Sequence, residues 1–340
     1  MKLLPKLLLA GGVVLAVNGL DNRLEVTHYA PEFDNLPDAF DGYTIAHISD
    51  YHCDSVPGVE TEIRNEAPDI IVCTGDMADD KGSYVPAIRL LERLCAIAPV
   101  YMVTGNHDLW RVDYTEFLTE CEKTGAKYLH NERVILEKGG DRISLSGIDD
   151  PFVCDRDKVT AAIEKSISKL GRYNGFEVLL FHRANLLDNY RARGYDLILS
   201  GHMHGGQFRM PVTKNGVCAP KSSIKVGGGA FFPQYCGGYY TLGKIQMIVN
   251  RGLGNPMIIP RLFNRPEITM IKLKKAKSEY KPVNENTEIR YTEDNTENLF
   301  YQNYNSMDTD SLISMYKSDN YTDAVKDIIK EILERRNINI

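Results

Sequence analysis

The sequence predicts a layered α/β fold with a second sheet packed against the first, and three patterns carry that expectation. Between Gly42 and Thr124, β-rich runs alternate with helical patterns, as they do when a sheet is buried by helices on its faces. The later runs are richer in strand and less regularly interleaved, which calls for a second sheet. Two short amphipathic stretches near the C-terminus predict a small helical hairpin appended to the core.

Taken in order, the chain opens with Lys2 and Lys6 ahead of an apolar run, Leu7 to Val17. This is the layout of a basic n-region followed by an h-region, so residues 1–20 are expected to be a signal peptide or membrane anchor. The run is shorter than the roughly 20 residues that cross a bilayer, and no clean A-x-A site follows it, which leaves cleavage or retention open. The runs YTIAHIS, DIIVCTG and PVYMVTG are expected strands, with helices around Val59–Glu66, Tyr84–Ala96 and Tyr114–Thr124. ISLSGI, FEVLLFH, DLILSG, KIQMIVN and ITMIKL are further strands, with a helix over about Lys158–Leu170. The core domain is placed at 37–275. Residues 276–306, rich in Asn, Glu, Lys and Tyr, form a linker. Within a 307–340 extension, Asp308–Lys317 and Thr322–Arg336 are helical, the second capped by Thr322 with Val325, Ile329, Ile332 and Arg336 on one side.

Hydrophobic residues make up 43 % of the 340 and charged residues 25 %, ample for a large core that needs no staples. A net charge of −6 gives the whole molecule no general field that attracts nucleic acid or anionic lipid. The seven cysteines are odd in number and scattered, without C-x-x-C spacing, and read as core or surface thiols.

The chemistry is concentrated where β-runs end, the place where α/β folds build sites. The ends read Ser49-Asp50-Tyr51-His52, Gly75-Asp76-Met77-Ala78-Asp79, Gly105-Asn106-His107-Asp108, Phe181-His182-Arg183 and Gly201-His202-Met203-His204. In an extended segment Asp50 and His52 would point to one side and share a metal while Tyr51 faces away. Taken singly, each motif reads as a turn, a cap or a satisfied core histidine. Together they gather five of the eight histidines, and burying so many ionisable groups is costly unless a cation or a catalytic task compensates. Carboxylate, imidazole and amide donors without thiolate suit Mn, Fe or Zn in an open catalytic site rather than a structural zinc. The candidate ligands Asp50, His52, Asp76, Asn106, His182, His202 and His204 are too many for one ion and suit two. Arg183, Arg251 and Arg265 are candidate substrate clamps, each with a structural role as its plainer reading.

The ordered set D-x-H, G-D-x-x-D, G-N-H-D, a lone His and G-H-x-H, from Ile48 to His204, resembles the calcineurin-like metallophosphoesterase superfamily. LILSGHMHGGQFRMP and VNRGLGNPMIIPRLFNRPEITMIKL are similar to its membrane-associated or exported branch, typified by bacterial YkuE-like and YaeI-like phosphodiesterases, and extend the resemblance to Pro37–Leu273. Tyr51 and Met203 depart from the usual Leu and Thr or Ser. The resemblance implies a four-layer sandwich of two mixed β-sheets flanked by helices. It implies hydrolysis of a phosphate ester, as a phosphodiesterase or pyrophosphatase, by hydroxide activated on two divalent ions. Asp50, His52 and His204 would bind the first ion, Asn106, His182 and His202 the second, and Asp76 would bridge. His107 would stand near the leaving oxygen with Asp108 holding its imidazole, and Asp79 would be a supporting or turn residue. The expected partner is a phosphate ester, lipid-linked among the options, met at a bacterial membrane or envelope through the N-terminus, with no nucleic acid. A protein phosphatase is disfavoured because the chain reads GDMADDKG and GNHD where that branch has G-D-x-x-D-R-G and G-N-H-E, and a nuclease by the net acidity. A non-catalytic metal-binding interaction module of the same fold is set against by the presence of every expected ligand and of His107.

Overall fold

The computed structural model describes residues 19–151, 156–211, 213, 215–225, 229–256, 259–276, 309–317, 329–330, 332–334, 336 and 338. The chain divides into two compact units, residues 1–278 and 279–340. The first unit enters through β1 (Glu25–Tyr29) and β2 (Glu32–Phe33), then alternates β3 (Thr44–Ile48), α1 (Val59–Glu66), β4 (Ile70–Thr74), α2 (Val85–Cys95) and β5 (Val100–Val103). The short α3 (Asn106–Trp110) and α4 (Tyr114–Lys123) lead to β6 (Lys127–Tyr128), β7 (Glu132–Lys138) and β8 (Asp141–Gly147). There follow α5 (Arg156–Leu170), β9 (Glu177–Arg183), β10 (Leu197–Gly201), α6 (Lys221–Lys225), β11 (Gly238–Leu242), β12 (Ile245–Val249), β13 (Glu267–Lys272) and β14 (Lys274–Lys275).

One six-stranded sheet runs β1-β13-β3-β4-β5-β6 and the other β11-β12-β10-β9-β8-β7, while β14 pairs with β2. Both sheets are mixed, as expected. In the first, β3, β4 and β5 are parallel and β13 is antiparallel to β3. In the second, β8, β9, β10 and β12 are parallel, with β7 and β11 antiparallel at the edges.

The period-2 alternation of strand side chains sorts the core into three apolar layers. Ile71 and Cys73 of β4 face outward onto Leu90, Leu91 and Leu94 of α2 and Phe117 of α4. Their neighbours Ile70 and Val72 turn inward, where they meet Val178, Leu180, Leu197 and Leu199 of the other sheet. Leu179, Phe181 and Ile198 cover the outer face of that second sheet with Val159, Ile163 and Ile167 of α5. Helices, sheet, sheet and helices thus make four layers. Each fully buried Leu or Ile contributes about 1.5–3 kcal/mol, so the inner strands of each sheet are fixed by burial on both faces.

The helices fall within a residue or two of their expected bounds. Two features differ. β1 belongs to the first sheet although it precedes residue 37, and the edge strands β7 and β11 are absent from the sequence reading. β7 reads ERVILEK and buries only Leu136 fully, because charged side chains alternate along a solvent-facing edge, so it lacks the apolar run that marked the inner strands.

The second unit holds α7 (Thr309–Lys317), with residues 329–330 and 332–334 also helical. Leu312, Ile329, Ile332 and Leu333 form its core. The first turns of the expected Thr322–Arg336 helix, residues 1–18 of the N-terminal segment and most of the expected linker lie outside the described residues. No described helix is long and apolar enough to cross a membrane. The described cysteines are all free thiols, and Cys154 lies outside the described residues.

Candidate metal centre

The five motifs converge at the carboxyl ends of β3, β4, β5, β9 and β10. How they get there differs from the extended geometry expected of Asp50 and His52. Asp50, His52, Asp76, His202 and His204 all adopt positive φ, between 48° and 72°. This left-handed conformation is uncommon for residues other than glycine, and where neighbours enforce it, it marks functional sites. Here the backbone is pinned across strands: Asp50 N–H donates to Gly75 O (2.9 Å) and His52 N–H to Asp76 O (3.0 Å). Tyr51 turns away into the core. Gly75, at φ +94°, passes so close to Gly105 and His182 Nδ1 that any side chain there would collide with them.

The side chains form two adjoining groups. Asp50, His52 and His204 bring ligand atoms within 4.8 Å of one another, and so do Asp76, His182 and His202. Asp76 joins the two, since its Oδ2 lies 3.2 Å from His182 Nε2 and 3.8 Å from His52 Nε2. His204 Nε2 is 3.4 Å from Asp50 Oδ1, and His202 Nδ1 is 3.1 Å from His182 Nε2. His182 Nδ1–H donates to Thr74 O at 2.7 Å, which leaves Nε2 as the ring atom that faces Asp76 and that would bind an ion once its proton is displaced.

Several observations fit a cation here. Both amide atoms of Asn106 and both ring nitrogens of His52 are buried without a hydrogen-bond partner among the described residues, and a buried amide left that way costs about 1–3 kcal/mol. Burial holds His202 and His204 well below the ordinary histidine range, so both are neutral, the form that binds metal. Burial opposes charge on His182, but the Asp76 carboxylate outweighs it and raises the imidazole to about 10. Asp76 is held well below the usual carboxylate range because His182 and His107 overcome its own desolvation. Burial, together with Asp76, pushes Asp50 upward. The donor set therefore has a proton where a divalent cation would relieve the same excess of carboxylate.

Four sequence assignments need correction. Asp108 does not hold His107. Its Oδ1 accepts Ala78 N–H and its Oδ2 accepts Gly105 N–H, each at 2.9 Å, so it ties the β4 and β5 loops together, and burial with Asp76 nearby pushes it up to about 7. The carboxylate on His107 Nδ1 is Asp79, at 2.8 Å, in a loop fastened by Arg111, which donates to Asp79 O and Gly82 O. Arg183 is fully buried and bidentate on Asp150, at 2.5 and 3.1 Å. Arg251 is engaged by Glu25 (2.6 Å) and Glu267 (2.9 Å), so neither arginine is presented as a substrate clamp. Arg265 likewise donates to backbone carbonyls of Arg23 and Leu24.

His107 is three-quarters enclosed and half faces the opening. Burial works against its charge, yet Asp76 and Asp79 raise it to about 9. Its backbone N–H donates to Asp76 Oδ1 at 2.7 Å, and its ring lies 4.8 Å from that of His52. Two supports escaped the sequence reading: Asn264, whose Nδ2–H donates to His204 O (2.7 Å), and Gln207, which donates to Ile259 O (2.6 Å). Both are amides in irregular loops, where no periodicity marks them. Gly205 packs against Asn264 and Gly206 against Gly216, which makes these glycines part of the turn.

The calcineurin-like phosphoesterase family model matches residues 43–206. The chain is similar to the uncharacterized metallophosphoesterase YkoQ of Bacillus subtilis, 29% identical over 245 residues that cover 69% of this chain and 85% of the relative. It is also similar to the uncharacterized metallophosphoesterase YkuE of the same organism, 29% identical over 265 residues, 74% of this chain and 86% of the relative. Phosphodiesterase YaeI of Escherichia coli is 26% identical over 216 residues, 61% of this chain and 71% of the relative.

Proposed function

We propose that this chain, whose residues 43–206 match the calcineurin-like phosphoesterase family model, is a hydrolase that cleaves a phosphodiester or pyrophosphate with a pair of divalent ions, manganese, iron or zinc, at a membrane or envelope surface. The observation that supports this best is the Asp76 carboxylate, whose Oδ2 is within 3.8 Å of histidines from both groups. In this reading Asp50, His52 and His204 hold one ion, Asn106, His182 and His202 the other, and Asp76 touches both. Two bound divalent ions supply neutralisation of the phosphoryl oxygens and lower the pKa of a water.

The chain's own residues do the rest. The Asp79 carboxylate, 2.8 Å from His107 Nδ1, keeps the imidazole protonated, and the opposite nitrogen would donate its proton to the leaving oxygen or to the phosphoryl group. Asp108 keeps the Gly105 and Ala78 amides in place beneath it. The diester preference is supported by the likeness to a phosphodiesterase. The membrane setting is supported by the Lys2, Lys6 and Leu7–Val17 pattern, and it makes a lipid-linked phosphate ester the substrate class to try first.

The test is turnover of bis-p-nitrophenyl phosphate against p-nitrophenyl phosphate by the purified chain with added manganese. Faster cleavage of the diester is expected. A preference for the monoester would overturn the diesterase reading, and no turnover of either would overturn hydrolysis by this site.

A further inference from the structure

The loops that support His204 are also where the chain's charge and exposed apolar side chains collect. Residues 197–266 contain eight Lys or Arg and no Asp or Glu, although the whole chain has 46 carboxylates and a net charge of −6. Inside this stretch Lys221, at the start of α6, is exposed. The acidic groups that approach it from packed elements each have a partner: Glu25 and Glu267 have Arg251, Asp54 the backbone N–H of Asn255, and the exposed Asp188, which lines the same hollow as Phe231 and Phe232, has Arg191 at 3.2 Å.

The same loops display Met210, Ile224, Phe231, Phe232 and Ile259 with 40–69% of their surface exposed. Singly exposed apolar residues are ordinary, but a cluster of them marks an interaction surface. Backbone hydrogen bonds hold the cluster together. Arg209 N–H donates to Leu262 O, Val217 N–H to Phe208 O and Phe232 N–H to Val217 O, at 2.8–2.9 Å. Phe232 is kept at φ +50° while 66% exposed, a conformation that is unfavourable for a bulky side chain and is retained only where the surroundings impose it.

What lies against this face is indicated by the segment that leads into it. Phe263 N–H donates to Gly19 O at 2.7 Å, and Leu20 beside it is half exposed. Gly19, which follows the Lys2, Lys6 and Leu7–Val17 stretch in the sequence, therefore meets the folded unit at Leu262 and Phe263, one residue from Asn264, which holds the His204 turn. An apolar run of that length is short for a bilayer crossing, and stable attachment to a membrane generally takes a second signal, such as a basic patch.

We propose that the face built from the 207–232 and 255–263 loops docks on an anionic lipid bilayer, with Phe231, Phe232, Met210 and Ile259 entering the interface. Lys221, exposed on the same stretch, meets the head groups. This rests on the membrane setting proposed above and deepens it: the His204 side of the metal centre is held at head-group level, within reach of a phosphate ester carried by a lipid.

The full chain is reconstituted into phosphatidylcholine vesicles with or without phosphatidylglycerol, and Phe231→Trp, Phe232→Trp and Val112→Trp variants are compared with the parent, whose single tryptophan is Trp110. Val112 is fully exposed and belongs to another face. The added fluorescence at 231 and 232 is expected to be quenched several-fold more strongly by brominated acyl chains than that at 112, and more strongly with phosphatidylglycerol than without. Quenching at 231 and 232 no stronger than at 112 overturns the proposal. So does a blue shift at both positions without lipid that grows with protein concentration, since it would put a second copy of the chain on this face. No substrate is used, so loss of ester turnover with intact quenching would count against the hydrolytic reading alone.

Discussion

Asp108 adjoins His107 in the sequence and Asp79 lies far from it, yet of the two only Asp79 touches its ring. His107 and Asp108 are consecutive in a helical turn, where neighbours diverge around the axis, while Asp79 arrives from the β4 loop at 2.8 Å from Nδ1. The seven candidate ligand positions stood out as a group because each sits at the end of an apolar run. The partner of His107 was not, because it is chosen by contact between two loops rather than by spacing in one. The two carboxylates should therefore fail differently. Asp79→Asn is expected to lower kcat about 10- to 100-fold, as loss of a residue that orients a functional histidine does, with bound metal and melting temperature near those of the parent. Asp108→Ala strips the acceptor from two buried N–H groups and should cost about 2–6 kcal/mol in urea denaturation, at roughly 1–3 kcal/mol for each group. Equal effects of the two changes on the chemistry would contradict the assignment. His107→Ala should leave metal content unchanged and slow turnover by about 10²–10⁴-fold.

At the level of elements, the inner strands were readable because parallel strands buried on both faces are written as continuous apolar runs; every residue of β4 and β9 is buried. β7 and β11 were not, since an edge strand with one wet face carries a weaker signal, and β1 was hidden because nothing local shows that it pairs with β13, more than 200 residues away. The end of β9 carries both a candidate ligand and a structural ion pair. Arg183 follows His182 and is bound to Asp150 with both side chains fully buried. Its charge serves the joint between β9 and the loop after β8 rather than a substrate. Arg183→Ala takes the bidentate partner from a buried carboxylate and is expected to destabilise the protein by about 3–5 kcal/mol, measured by urea denaturation. A change within about 0.5 kcal/mol, the range of ordinary surface substitutions, would show that Arg183 is not the structural residue described here.

Across the whole molecule, the two sheets are closed on each other by an apolar layer, and the metal centre sits where loops from both sheets meet. Asp50, Asp76 and Asn106 come from the first sheet, and His182 and His202 from the second. Ions bound there, as proposed, would tie the sheets together, so metal is expected to stabilise the folded chain by about 2.7 kcal/mol at a free concentration of 100 times Kd. Treatment with a chelator should lower the melting temperature and readdition of manganese should restore it; indifference to both would mean that no ion spans the sheets. The measurement that tests the central claim most directly is elemental analysis of the purified chain beside its Asp76→Asn variant. About two divalent ions per chain, the number a two-metal site requires, with a marked loss in the variant, is the expected result. A parent chain without metal, or a variant that binds as much as the parent, would contradict the shared role of Asp76 and the site built around it.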